Sequence, residues 1–153
     1  MADIIKKEVV KKDYIASVGR RKEAVARLRL YTGTKDIEWD TQVVKKGEIF
    51  VNKKPIDQYF NKRLHEALYL EPFRITNTLH KYAITVIVSG GGLIGQLDAF
   101  VHAVSRALNA LDKEKFRPIL KKKKFLTRDS RTRERRKVGM GGKARRKRQS
   151  PKR

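Results

Sequence analysis

Arginine and lysine are the residues in this sequence whose number and spacing could support chemistry, and that chemistry is the binding of anions. The 153-residue chain carries 39 Lys+Arg against 16 Asp+Glu, a formal net charge of +23. The excess is concentrated near the C-terminus, where residues 117–153 hold 18 basic residues and only two acids. A positive field of this size attracts polyanions, of which nucleic acid is the commonest in a cell. The composition therefore predicts a nucleic-acid-binding protein.

The segment 117–153 has the composition of an extended anion-binding tail. Only seven of its residues are apolar, too few to bury a core against backbone entropy. Arginine outnumbers lysine beyond Lys124, and its planar guanidinium holds phosphate through two bonds and stacks on bases. Gly139, Gly141 and Gly142 leave the backbone free to approach a ligand closely. We predict a tail that orders as it binds RNA; a localisation-like signal or a solubilising tail is the alternative.

A second basic group lies on a predicted strand pair. Residues 22–31 (KEAVARLRLY) alternate, which places Arg27 and Arg29 on one face and Ala24, Ala26, Leu28 and Leu30 on the other. Residues 14–18 predict an earlier strand, and Gly19–Lys22 a basic turn between the two. In a chain of this charge, a phosphate-facing patch is favoured over the alternative of an ordinary solvated sheet face.

A glycine motif follows the run Tyr82–Val88, which predicts a buried strand. Gly90, Gly92 and Gly95 match G-x-G-x-x-G, and Asp112 lies at the distance expected in a dinucleotide fingerprint. That acid should end a second parallel strand, and none is available, so we reject a dinucleotide site. Gly90, Gly91 and Gly92 could instead expose helix N-terminal amides to a phosphate, or could simply allow tight strand–helix packing.

The sequence offers little support for catalysis or metal binding. There is no cysteine, the three histidines are scattered, and neither a G-x-S-x-G motif nor a P-loop is present. The acids of DIEWD (36–40) are typical of a solvated loop. We expect no enzyme activity, no metal and no cofactor. The N-terminus lacks the apolar block of a secretory signal, and no apolar stretch approaches the ~20 residues of a membrane helix, so we expect a cytoplasmic protein.

The predicted elements describe an α+β body in which helices pack on one face of a sheet. Residues 49–51 predict a third strand that ends at the turn of Asn52 and Lys53. Helices are predicted over 55–60, over 62–70 with closure at Pro72, and over 93–111, where apolar residues recur at helical spacing. We divide the chain into an N-terminal extension (1–12), a globular body (13–116) and a basic tail (117–153). The boundary between body and tail falls near Phe116–Leu126.

Four segments, in this order along the chain, resemble one protein family. They are YIASVGRRKEAVARLRL (14–30), IFVNKKPIDQYF (49–60), VIVSGGGLIGQLDAFVHAVSRAL (86–108) and FLTRDSRTRERRKVGMGGKARRKRQSPKR (125–153). Together they resemble the bacterial form of the small-ribosomal-subunit protein nine family. The resemblance covers nearly the whole chain.

This resemblance implies a fold shared with the second domain of small-subunit ribosomal protein five, including a left-handed βαβ crossover. It implies a non-enzymatic, structural constituent of the ribosome that binds small-subunit rRNA in the head, beside neighbouring head proteins. Its tail would place Lys152 and Arg153 next to the peptidyl-site tRNA. With the basic groups described above, the expected rRNA-binding residues are Arg20, Arg21, Lys22, Arg27, Arg29, Lys121, Lys122, Lys123, Lys124, Arg128, Arg131, Arg133, Arg135, Arg136, Lys137, Lys143, Arg145, Arg146, Lys147 and Arg148.

The sequence departs from the family pattern in three places. Residues 35–47, which include Trp39, lengthen a connection that is normally short, and their acids predict a segment facing solvent or a neighbouring protein. Pro151 is inserted before the terminal Lys-Arg pair, which puts any role of Ser150 at the tRNA in doubt. Residues 1–12 extend beyond the usual start of the family.

Two alternative functions predict different binding behaviour or different residues from those of a ribosomal component. A free-standing nucleic-acid chaperone would bind random RNA and DNA nearly as well as rRNA, without stable association with a particle. An enzyme acting on RNA would need a catalytic constellation, and the sequence shows none.

Overall fold

Seven strands and four helices make up the part of the chain that the structure describes. The structure is a computed structural model, and it describes residues 14–33, 36–39, 42–133 and 135. Its elements are β1 Tyr14–Arg21, β2 Ala24–Tyr31, β3 Ile37–Trp39, β4 Gln42–Val44, β5 Ile49–Val51, β6 Lys54–Pro55, α1 Ile56–Tyr59, α2 Arg63–Ile75, β7 Ala83–Ser89, α3 Leu93–Leu111 and α4 Lys113–Lys122. Within these described ranges, no helix is long and apolar enough to cross a lipid bilayer.

Five of the strands form one mixed sheet in the order β1-β2-β7-β5-β6. Neighbouring strands are antiparallel, except that β5 and β7 run parallel. A parallel pair needs a long crossover, and here α1 and α2 supply it. The turn after β5 has Asn52 and Lys53 at φ 48° and 65°, the left-handed pair that a tight hairpin requires. The predicted third strand and its turn are confirmed.

The core lies between one face of this sheet and the helices. The residues that alternate along β2 face the helices and are buried, as are their register partners on β7. From the other side, α3 contributes Leu97, Phe100, Val104 and Leu108 at helical spacing. Tyr69 and Phe73 of α2 complete this layer. The predicted α+β architecture with helices on one face of a sheet is therefore confirmed, as are the bounds of α3 at 93 and 111.

The predicted turn at Gly19–Lys22 is wrong. Strand β1 continues to Arg21, and the reversal is a two-residue turn in which Lys22 adopts φ 50°. Gly19 is needed for packing instead. A Cβ added there would lie 1.9 Å from the carbonyl oxygen of Ala99 and 2.5 Å from the amide nitrogen of Ala103. The glycine therefore lets β1 approach the backbone of α3.

The predicted end of α2 at Pro72 is also wrong, because the helix continues to Ile75 with Pro72 inside it. Pro72 and Phe73 are both buried. Burial of this last turn outweighs the single backbone hydrogen bond that proline cannot donate. The hydroxyl of Thr76 then donates to the carbonyl oxygen of Pro72 at 2.8 Å, which satisfies one free carbonyl at the helix end.

Packing against the core extends well past residue 116. Leu120 of α4 is fully buried, and Phe125 and Leu126 pack against the same cluster. The helix ends with Lys124 at φ 61° and a hydrogen bond of 3.1 Å from the Phe125 amide to the Leu120 carbonyl, a left-handed C-cap in which lysine takes the usual place of glycine. Core contacts thus reach the C-terminal end of the interval Phe116–Leu126 in which the sequence places the boundary.

The atypical segment 35–47 contains a short hairpin of β3 and β4. Glu38 and Val43 are exposed, as expected for a segment that faces outward, but Val44 is fully buried. Val44 lies outside the main core cluster, β4 contacts β7, and the outward-facing Ala83 and Thr85 of β7 are only 2% exposed. We infer that Val44 covers these two residues, so the hairpin is fixed to the body at this point.

Candidate nucleic-acid interface

The sheet face opposite the helices carries a group of exposed arginines. Arg27 pairs with Val18, and Arg29 with Ala16, on β1. Since directly opposed residues of antiparallel strands share a face, these four positions lie on the side away from the helices. Arg20, opposite Val25, has the same orientation. We call Arg20, Arg27 and Arg29 the outer arginine face.

Aromatic rings lie beside this face. The guanidinium carbon of Arg29 is 5.1 Å from the ring centroid of Tyr14, within the range of a cation–π contact. The ring of Tyr14 in turn lies 5.5 Å from that of Tyr31. Ile87, opposite Arg27 on β7, is 49% exposed. Exposed guanidinium groups among aromatic and apolar side chains can contact both phosphates and bases.

Arg21 lies on the other face of β1, toward α3. Its guanidinium is 3.4 Å from a carboxylate oxygen of Asp98 and 3.1 Å from one of Asp129, and it donates to the carbonyl oxygen of Arg131 at 2.8 Å. Only 15% of the side chain is exposed. Arg21 therefore binds the chain where it leaves the body. The sequence predicts an RNA contact at this residue, and the geometry shows an internal contact.

Asp129 is the centre of this junction. Besides Arg21, it accepts hydrogen bonds from the Arg131 backbone amide at 2.9 Å and from the Arg131 guanidinium at 2.7 Å. These bonds hold the pKa of the Asp129 carboxyl well below its usual range and raise the pKa of Arg131. The carboxylate therefore stays ionised at any physiological pH. We call Arg21, Asp98, Asp129 and Arg131 the tail clamp.

Two side chains of α3 protect the free edge of β1. The Arg106 guanidinium donates to the carbonyl oxygen of Val18, and Nδ1 of His102 accepts from the Arg20 amide at 3.4 Å. Such partners satisfy edge groups that could otherwise pair with another strand. Burial, together with the positive charges of Arg106 and Arg128, lowers the pKa of His102, while a hydrogen bond to the Leu126 backbone opposes this shift. His102 thus connects β1 to the backbone of Leu126 in its neutral form.

This environment makes the stability of the body depend on pH. The unfolded chain takes up a proton on His102 near the ordinary pKa of 6.5, whereas the folded chain does so only at lower pH. We therefore expect the free energy of unfolding to fall as pH drops below about 6.5, until the folded-state pKa is passed. Urea unfolding at pH 7.5 and pH 5.0 measures this change.

Two variants separate the contribution of His102 to this pH dependence from the contributions of other groups. His102→Gln keeps a hydrogen-bonding side chain but cannot titrate, so it should lose most of the difference between the two pH values. His80→Gln, at an exposed position, should keep it. An unchanged pH difference in His102→Gln would rule out this explanation.

The three glycines after β7 have clear structural reasons. Gly90 and Gly91 have φ of 73° and 63°, and a Cβ on Gly90 would lie 2.5 Å from the Glu23 carbonyl oxygen. Gly92 is different, because it has an extended backbone and no heavy atom within 4 Å of an added Cβ. It lies at the N-terminus of α3 in a groove of about 520 Å³ that Lys22 and Lys62 also line. Tight packing explains Gly90 and Gly91, and the amides after Gly92 face a basic surface.

The G-x-G-x-x-G match is not part of a nucleotide-binding fold. Asp112 caps α4, accepting from the Lys115 amide at 3.1 Å, and it does not end a parallel strand. This agrees with the rejection of a dinucleotide site.

Most of the remaining predicted rRNA-binding residues that the structure describes are exposed. Lys121 to Lys124 are exposed at the end of α4, where Lys123 lies 3.5 Å from Glu71. Arg20, Lys124, Arg128 and Arg131 line a groove of about 340 Å³ beside the tail clamp. Arg133 and Arg135 are also exposed. The predicted residues that lie outside the described part of the chain are Arg136, Lys137, Lys143, Arg145, Arg146, Lys147, Arg148, Lys152 and Arg153.

Comparison with known proteins identifies the family. The family model described as ribosomal protein S9/S16 matches residues 19–153. The chain belongs to the ribosomal protein S9/S16 family. A relative from Maridesulfovibrio salexigens, named small ribosomal subunit protein uS9, is 44% identical over 86% of this chain and 91% of its own length. Two further relatives of the same name, from Leifsonia xyli subsp. xyli and Anaeromyxobacter sp. strain K, are each 42% identical over 82% of this chain. The matched region covers 67% of the first protein and 87% of the second.

For this S9/S16-family chain, sequence reasoning missed the acidic half of the tail clamp. Asp129 is one of only two acids in residues 117–153, and an acid in a basic run has many opposite charges within reach, which was a usable signal. Asp98 and Arg106 gave no such signal. They lie on the polar side of α3, and their partners on β1 are about 80 residues away in sequence.

Proposed function

We propose that this protein is a structural constituent of the small ribosomal subunit, where it binds rRNA of the head and extends its tail toward the peptidyl-site tRNA. Membership of the ribosomal protein S9/S16 family carries the proposal. The exposed arginines and the strongly basic C-terminal segment support it, because a net charge of +23 needs a polyanionic partner. The partners are small-subunit rRNA, peptidyl-site tRNA and neighbouring head proteins.

The body docks through the outer arginine face. Arg27 and Arg29 project from neighbouring positions of a strand whose other face is packed in the core, so their spacing is fixed before binding. A rigid array of guanidinium groups can bind phosphates with little loss of conformational entropy. This basic surface continues around the β1–β2 turn through Lys22. It reaches the N-terminus of α3, where Gly90, Gly91 and Gly92 precede the helix and its free amides can bind a phosphate.

The tail acts from a fixed starting point. The tail clamp holds residues 129–131 against β1 and α3, which fixes the point from which the basic residues that follow begin. The arginines and lysines of 133–148 neutralise rRNA phosphates along the path. Lys152 and Arg153 add positive charge beside the tRNA. We place the start of the free tail after Arg131, because core contacts and the clamp extend to that point.

We also propose that the crossover from β5 through α1 and α2 to β7 is left-handed, as in the second domain of small-subunit ribosomal protein five. Adjacent parallel strands joined by helices are the element in which such handedness can occur. Right-handed crossovers are the rule, so an experimental structure that shows a right-handed connection here would exclude this part of the proposal.

Sedimentation tests the proposed function. A cell lysate is run on a sucrose gradient at high salt, and the protein is detected by blotting. Stoichiometric comigration with small subunits after the salt wash is expected, because buried, specific contacts resist screening better than exposed ones. Release to the top fractions would favour a free-standing RNA chaperone that binds polyanions through its tail.

Deletion of Lys152 and Arg153 should separate tRNA binding from assembly. We expect subunits that contain the shortened protein to assemble normally but to hold peptidyl-site tRNA modestly less tightly, because two charges that would contact phosphate are lost. Filter binding of tRNA to purified subunits measures the affinity.

The matched control replaces two basic residues elsewhere. Lys113→Gln with Arg117→Gln removes the same charge from the exposed surface of α4 and should leave tRNA affinity unchanged. Failure of subunits to assemble after the two-residue deletion would contradict this division of labour between body and tail end.

A further inference from the structure

A groove on the side of the body formed by β5, β6 and α2 differs from the rest of the protein in charge. It has a volume of about 460 Å³ and is lined by Gly47, Glu48, Ile49, Phe50, Pro55, Ile56, Asp57, Glu66, Tyr69, Leu70, Phe73, Thr78, Leu79, His80, Tyr82 and Ile84. Three of these residues are carboxylic acids, and none is lysine or arginine. In a chain with more than twice as many basic as acidic residues, this local reversal points to a different class of partner.

The floor and walls of the groove are apolar and well fixed. Tyr69 is 2% exposed, and its hydroxyl donates to a carboxylate oxygen of Asp57 at 2.6 Å. Burial, together with this hydrogen bond and the nearby charges of Asp57 and Glu66, raises the pKa of Tyr69. Leu79 is 38% exposed, and Phe50 and Leu70 are half-buried. The groove therefore offers apolar contact area that this chain does not itself cover.

The carboxylates lie around this apolar area. Glu48 is exposed at the start of β5, where its side chain accepts from the Lys45 amide at 2.9 Å. Asp57 is on α1 and Glu66 is on the first turns of α2, both exposed. Phosphate groups of RNA would meet three negative charges among the residues that line the groove. An interface with apolar anchors and a charged rim is typical of protein–protein contacts.

We propose that this groove binds a basic segment of a neighbouring ribosomal protein, with apolar side chains in the groove and lysine or arginine side chains against Glu48, Asp57 and Glu66. The proposal rests on the proposed function, because it requires the protein to be part of the small subunit. It assigns the two sides of the body to two partners: the outer arginine face binds RNA, and the groove binds protein.

Carbodiimide chemistry on intact small subunits tests the proposal. The reagent activates a carboxylate, a lysine amine in contact displaces the resulting urea, and an amide joins the two chains. Mass spectrometry of purified, salt-washed subunits is expected to find Glu48, Asp57 or Glu66 joined to a lysine of one other ribosomal protein. Glu114, exposed on α4, is the comparison carboxylate and should be joined to that protein much less often.

A variant measures the strength of the contact. Glu48→Gln with Glu66→Gln should remove the crosslinks formed at these two positions, leaving only those of Asp57. It should lower retention of the joined protein in salt-washed subunits by roughly two- to thirtyfold, the range for two ion pairs. Glu114→Gln with Glu23→Gln, both at exposed positions, is the matched control and should leave retention unchanged.

Three results would overturn the proposal while leaving the proposed function intact. One is equal labelling of the groove carboxylates by a small added amine in subunits and in the free protein, which would show an open groove. Another is protection of these carboxylates without any crosslink, together with unchanged retention of every other protein in the Glu48→Gln, Glu66→Gln variant, which would show that RNA covers them. The third is a crosslink to lysines of residues 1–13 of the same chain. Absence of the protein from the subunit fraction would instead contradict the proposed function.

Discussion

Gly19→Ala should be the most damaging single-methyl substitution in the body. The added Cβ would lie 1.9 Å from the Ala99 carbonyl oxygen and 2.5 Å from the Ala103 amide nitrogen, both of which are backbone atoms of α3. A flexible side chain could move aside, but here the helix and β1 must separate. The hydrogen bond of 2.8 Å from the Ser17 hydroxyl to the Ala103 carbonyl lies at the same contact. We expect a loss of about 3 kcal/mol in the free energy of unfolding, the upper part of the range for overpacking.

Urea denaturation followed by circular dichroism measures this loss. Gly92→Ala is the matched control, because Gly92 has φ −105° and no atom within 4 Å of an added Cβ. Its cost should be smaller, about 1 kcal/mol or less, because alanine is only a poorer N-cap than glycine and meets no steric conflict here. Equal stability of the two variants would show that β1 and α3 are not in close contact at Gly19.

Replacing Arg27 and Arg29 by Gln should have the largest effect on RNA binding that the body can show. Both side chains are exposed on the outer face of β2, so their loss should leave the fold unchanged. If each contacts one phosphate, the affinity for rRNA should fall by roughly 25- to 60-fold at 0.1 M salt. The slope of log affinity against log salt should become shallower by about two.

The measurement is a salt titration of binding to a transcript of the small-subunit head rRNA. Arg63→Gln with Arg117→Gln removes the same charge from exposed positions on α2 and α4 and should change the slope little. If both double variants weaken binding equally, the net charge of the body matters and the outer arginine face has no special role.

The pattern of apolar residues was sufficient to predict an element where one periodicity continued along its whole length. Along β2, every second residue from Ala24 to Leu30 is apolar and buried in the core, and Arg27 and Arg29 lie between them on the outside. The apolar residues that recur at helical spacing in 93–111 correctly predicted both ends of α3. In both elements, the period of the backbone and the period of the side chains agree.

Pattern failed where a contact distant in sequence outweighed a local signal. Gly19 and Pro72 are residues that commonly end elements, yet one lies within β1 and the other within α2 because packing in the core favours continuation there. Extending β1 by three residues also fixed which way its arginines face. Side chains alternate along a strand, so Arg20 points outward and Arg21 points toward α3.

The sequence by itself therefore determined the family, the α+β architecture, the exposed basic face of β2 and the presence of a strongly basic C-terminal segment, because each follows from composition or from the period of a single element. Only the tertiary structure decided that Arg21 and Asp129 hold the start of the tail and that three acids surround an apolar groove. These sites join residues from separate elements. Tyr69 and Asp57 are 12 positions apart in sequence, and Arg21 and Asp129 are 108 positions apart. Such distances in space are set by how the helices pack on the sheet, which no local pattern encodes.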